Sequence, residues 1–126
     1  MKVLWICNMM LPAVAKYLNL KVKNKEGWLT GLSETLVKYH HENNIELAIA
    51  FPVSEDMAGS CWEVPVGQGN EACLTCYGFY ENTENPELFQ AGLEEQIRGI
   101  VQSYSPQIVH CFGTEYPHTL ATTRVC

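Results

Sequence analysis

Apolar residues run almost unbroken through Lys2-Val3-Leu4-Trp5-Ile6-Cys7. The run is too short for a helix and lacks polar alternation, which predicts a strand buried on both faces that ends at Asn8. Residues 9–26 form a long connection in which Pro12 is a break, 13–20 has room for a helical turn or two, and 21–25 is polar and basic. Trp28, Leu29, Leu32, Leu36 and Tyr39 then recur at helical spacing, with Glu34 and Lys38 at i, i+4 on the outside. They predict a first substantial helix ending near His40-His41. Asn43-Asn44 separates it from a second buried strand, 45–51, stopped by Pro52.

Residues 53–71 are irregular, rich in Gly, Ser and acidic side chains, with a short strand at 61–66; 74–80 has a strand composition. Asn85-Pro86-Glu87 offers an N-cap, a proline at the first helical position and an acid in the first turn, so a helix is expected to start there. Its apolar stripe is Leu88, Phe89, Leu93, Ile97, Ile100, Val101 and Tyr104, and it runs to Ser105-Pro106. Residues 107–111 read as the next buried strand, and 114–126 as a third helix capped by Thr114 with Glu115 in its first turn. The sequence of elements predicts an α/β fold: a Rossmann-like, mostly parallel sheet with helices on both faces, in a single domain over residues 1–126. No strand follows the last helix, so the chain is expected to be part of something longer, or a truncated version of it.

Composition narrows the functional classes. With 126 residues and 47% of them hydrophobic there is apolar material for one core and no second domain. Eight basic residues against fourteen acidic ones give a net charge of -6, and no basic run is long enough to neutralise several phosphates, which argues against nucleic acid. No apolar stretch approaches the ~18 residues of a membrane span. The N-terminal run enters Asn8 without a cleavage pattern, so the chain is expected to be cytoplasmic and its six cysteines reduced. Cys73-Leu74-Thr75-Cys76 has the spacing of a redox or metal pair, but redox pairs sit at a helix start and this one enters a strand. A second such pair is lacking, so no metal is expected. His40-His41 is read as a favourable charge placement at a helix C-terminus.

In an open α/β sheet, ligands collect outside the carboxyl ends of the strands. Two segments are expected there. In Glu26-Gly27-Trp28-Leu29-Thr30-Gly31, Gly27 either lets a ligand approach the backbone or merely turns the chain, with Gly31 allowing close helix-sheet packing. In His110-Cys111-Phe112-Gly113-Thr114-Glu115-Tyr116-Pro117-His118, two imidazoles, a carboxylate and a hydroxyl crowd one loop. Such a loop either binds and activates a polyol or contains a satisfied, partly buried His110 beside an ordinary helix cap.

These motifs, with the opening Met1-Lys2-Val3-Leu4-Trp5-Ile6-Cys7-Asn8, Leu11-Pro12 and Pro106-Gln107-Ile108-Val109-His110, resemble the N-terminal half of family-4 retaining glycosyltransferases along the whole chain. The resemblance implies a GT-B enzyme in which this half holds the acceptor and a second Rossmann-like domain holds the nucleotide-sugar donor. It implies no cofactor and no metal, since helix dipoles and basic residues of the second domain neutralise the leaving diphosphate. The sugar site would be lined by His110, Glu115 and His118 as catalytic candidates and by Gly27, Trp28, Gly113 and Thr114 as substrate contacts. The chain departs from the family pattern at Glu26, where many members have glycine, and at Phe112, where many have histidine. By itself this half is expected to be inactive. Two rival readings are a non-catalytic Rossmann-like binding or assembly module, homo-oligomerising through an uncovered sheet edge, and a redox protein working through Cys73 and Cys76.

Overall fold

The computed structural model describes residues 1–22, 27–67, 69 and 72–126. Its elements are β1 (Lys2–Ile6), α1 (Pro12–Tyr17), α2 (Gly27–Lys38), α3 (His40–Asn43), β2 (Glu46–Pro52), β3 (Cys61–Val66), β4 (Ala72–Phe79), α4 (Ala91–Tyr104), β5 (Ile108–Cys111) and α5 (Pro117–Val125), with a 3-10 turn at Glu55–Met57. The strands form one sheet in the order β3-β4-β2-β1-β5. β1 pairs in parallel with β2 and β5, β2 pairs in parallel with β4, and the β3–β4 hairpin is antiparallel. The chain is thus an α/β protein with a mostly parallel, mixed sheet.

Strand alternation sorts the core into two layers. Val3, Trp5, Leu47, Ile49, Phe51, Leu74 and Cys76 pack with Val14 of α1 and with Leu29 and Val37 of α2. On the other face Leu4, Ile6, Ala48, Ala50, Tyr77 and Phe79 pack under Leu93, Ile97, Ile100 and Tyr104 of α4 and Ala121 of α5. Each large side chain withdrawn from water in this way contributes about 1.5–3 kcal/mol, which is why β1 and β2 carry no polar position beyond their first residues, Lys2 and Glu46.

Four sequence expectations need correction. The strand expected to be buried at 107–111 is the edge strand β5, in which Ile108 and His110 are exposed. The sheet-facing row of α2 is Leu29, Ser33 and Val37, whereas Trp28, Leu32 and Tyr39 are 59%, 43% and 41% exposed. A serine enters the buried row because its hydroxyl donates to the Thr30 carbonyl at 2.8 Å, which removes the penalty of burial. The second long helix starts at Ala91 and not at Asn85. Asn85 to Leu88 closes a turn (Leu88 N to Asn85 O, 3.1 Å) with Pro86 at its second position, the other setting that suits a proline. The Gln90 side chain then bridges to the Asn82 backbone at 3.0 and 2.8 Å, holding that loop off the helix and leaving Leu88 and Phe89 exposed. Finally, α5 begins at Pro117, and its N-cap is Tyr116 instead of Thr114, because Gly113 to Tyr116 forms a turn of its own (Tyr116 N to Gly113 O, 3.2 Å).

Candidate functional site at the carboxyl rim

β1 is the point where strand order reverses: β2 and β4 lie to one side of it, β5 to the other. The loops leaving β1 and β5 therefore run in opposite directions and open a crevice between them. Asn8 and Gly113 face each other in it. A side chain at Gly113 would stand 3.3 Å from the Asn8 Cβ and 2.6 Å from the Tyr116 ring, and the backbone there has φ +82°. Both constraints demand glycine.

The N-terminus of α2 reaches the same rim, with the Trp28 ring 5.7 Å from that of Phe112, the residue after β5. Phe112 in turn stacks on His110 (4.1 Å, 21°) and meets Trp5 edge-on at 5.2 Å. The turns at Gly27 and Gly113 thus share one rim, joined by a row of rings with its outer member, Trp28, in solvent. Gly27 is exposed, and a side chain added to it or to Gly31 would meet nothing within 4 Å among the described residues. Helix-sheet packing therefore does not explain Gly31. Glu26 lies outside the described residues.

The three catalytic candidates do not converge. His110 sits in β5, exposed, on the α2 face of the sheet among Trp5 and Phe112. Thr114 and Glu115 are exposed in the Gly113 turn. His118 is 0% exposed on the opposite face, with its ring 5.6 Å from Phe79 and stacked under Tyr116 (5.6 Å, 10°). Its Nδ1 lies 3.0 Å from Glu81 Oε2, its Nε2 lies 2.9 Å from the Phe112 carbonyl oxygen, and its backbone N–H donates to Glu81 at 3.0 Å. Both ring partners are acceptors, so both nitrogens must donate and the ring is an imidazolium. Burial alone would lower its pKa; hydrogen bonding with Cys111, Glu81 and Phe112 and the Glu81 charge outweigh it and hold the pKa at about 10. No sequence spacing announces Glu81, 37 residues away; it and Asn8 are the rim residues that sequence reasoning misses.

Cys111, on the same face, has its Sγ 3.4 Å from Thr119 Oγ1. Burial would raise its pKa, but hydrogen bonding to His118 and Thr119 and the His118 charge lower it. Cys73 and Cys76 are separated by the pleat: Cys73 is exposed, whereas Cys76 is buried with its pKa pushed up to about 12 by desolvation. All six cysteines are thiols. Among the described residues no cluster of His, Cys, Asp and Glu is arranged to hold a metal ion, and no helix is long and apolar enough to cross a membrane. Comparison with known protein families, curated proteins and solved structures finds no match to the chain.

Proposed function

We propose that this chain is the Rossmann-like, acceptor-side domain of a GT-B retaining glycosyltransferase, moving a sugar from a nucleotide-diphosphate donor to a hydroxyl acceptor in concert with a donor-holding domain. The observation that carries the reading is the approach of Asn8 to Gly113 and of Trp28 to the neighbouring Phe112 at the switch point between β1 and β5. In this reading the glycine turns bring backbone N–H groups close to the ligand, the Trp28 ring stacks on the apolar face of a sugar, and Thr114 and Glu115 orient hydroxyls from the facing loop. His110 and His118 have different duties. His110 stacks on Phe112 in the ring row, while His118, a fixed cation tied to Glu81, shapes the Gly113 turn from below. Assayed alone, these 126 residues are expected to transfer no sugar.

Tryptophan fluorescence tests the reading, because Trp28 is 59% exposed while Trp5 is buried. An acceptor sugar such as glucose or mannose should quench or blue-shift the emission, and Trp28→Phe should abolish that response. A response that survives in Trp28→Phe, or none with any sugar, would contradict it.

A second reading, an assembly module, draws on β5 being an edge strand with Ile108 46% exposed. Concentration-dependent dimerisation without any sugar response would favour it.

A further inference from the structure

On the other side of β1 from Gly113 the carboxyl rim holds a cleft of about 490 Å³, between the end of α1 and the turn that follows β2. Its volume and its largely apolar lining with few polar groups match small-molecule sites, which span about 300–1,000 Å³. Met9 and Met10 enter from the end of β1, Met57 from the 3-10 turn and Leu20 from beyond α1. Three of the chain's four methionines therefore meet in one cavity. Thioether side chains are unbranched and adaptable, suited to an apolar ligand of irregular or flexible shape and ill suited to a polyol. Among the described residues Lys21 is the one charged side chain of the lining, on a chain whose net charge is -6. Glu55 and Asp56, on the same 3-10 turn as Met57, are exposed and do not line the cleft.

The walls are built into the sheet. Val53 N–H donates to the Phe79 carbonyl at 2.8 Å, and Gly78 exchanges hydrogen bonds of 3.0 Å with Gly59 and Ser60, fastening the turn to β4. Gly78 has no room for a side chain, since a Cβ would lie 2.9 Å from a Val53 methyl and 3.0 Å from the Trp62 ring. The cleft wall is thus fixed in place by close packing.

We infer that this methionine-lined cleft binds an aliphatic chain with a single anionic head, the chain among Met9, Met10 and Met57 and the head beside Lys21. The inference rests on the cleft and is independent of sugar transfer. Carboxylate and phosphate heads share the required chemistry, so octanoate and octyl phosphate are the probes, with 1-octanol as the uncharged comparison.

Labelling the methionine methyl groups with carbon-13 gives four resonances, of which Met1, 45% exposed and at the amino end of β1, is an internal control. Saturable shifts of the Met10 and Met57 methyls with an unmoved Met1 are expected. Octanol should bind about two- to fivefold more weakly than octanoate, the range an exposed charge contributes, and Lys21→Ala should bring octanoate down to the octanol level. The relative strength of octanoate and octyl phosphate identifies the preferred head. Absence of saturable shifts with all three probes, movement of Met1 together with the rest, or equal binding of octanol and octanoate by the unmodified chain overturns the inference. The fluorescence response to sugars is read at Trp28, so either site can fail without the other.

Discussion

Glu81 holds His118 at two points, accepting from its backbone N–H at 3.0 Å and from ring Nδ1 at 3.0 Å, and so ties the loop after β4 to the first turn of α5. The pair is buried, with side chains 0% and 1% exposed, and it lies beneath the turn that carries Gly113, Thr114 and Glu115. Because the folded imidazole has its pKa raised from 6.5 to about 10, its stabilising contribution is complete below pH 6.5 and is lost as pH rises through about 10. Urea unfolding across that window should show stability falling with pH in the unmodified chain and a flatter profile in His118→Gln. A flat profile in the unmodified chain would contradict the assignment of charge.

Removing one member of this pair leaves the other as a buried, uncompensated charge. Glu81→Ala is expected to destabilise the fold by about 3–5 kcal/mol, measured by denaturant titration. Glu81→Gln keeps an acceptor for the His118 N–H and should cost less.

Gly113 and Gly27 are predicted to respond in opposite ways to alanine. At Gly113 the positive φ and the Tyr116 contact make Gly113→Ala cost about 1–3 kcal/mol, visible as a lowered Tm. Gly27→Ala has open space around it in a helix and should leave stability unchanged or raise it by up to about 1 kcal/mol. If Gly27 is there for a ligand, the same substitution weakens the fluorescence response to sugars.

Thiol reactivity should follow the pleat. Alkylation of the native chain followed by mass spectrometry is expected to modify exposed Cys73 and to spare Cys76, whose burial and pKa of about 12 keep it protonated. Rapid modification of both, or a Cys73–Cys76 disulfide on mild oxidation, would revive the redox reading that the strand geometry argues against.

What was legible in the sequence follows from the kind of interaction involved. β1 and β2 announce themselves because a strand buried on both faces must be apolar throughout, and Leu93, Ile97, Ile100 and Tyr104 announce α4 by helical spacing. The rotation of α2 was not legible: Trp28 and Leu32 fit an apolar stripe as well as Leu29 and Val37 do, and Ser33 reads as polar until its bond to Thr30 is seen. The false helix start at Asn85-Pro86 has a similar origin, since an Asn-Pro pair also suits a turn, and here the Gln90 bridge to Asn82 decides. At the rim, the local runs around Gly27 and Gly113 were visible, and Trp28 on Phe112 joins them. The separation of His110 from His118 was hidden because it depends on strand pleat and on Glu81, which is remote in sequence.

The most direct test of the rim as the working edge is amide chemical-shift mapping of the nitrogen-15-labelled chain during addition of an acceptor sugar such as glucose or mannose. Shifts should gather at Asn8, Trp28, Gly113, Thr114 and Glu115. His40, His41 and Gly67, which line a cleft at the opposite, amino end of the sheet, should stay still. Shifts confined to that amino end, or none anywhere at saturating ligand, would contradict the account.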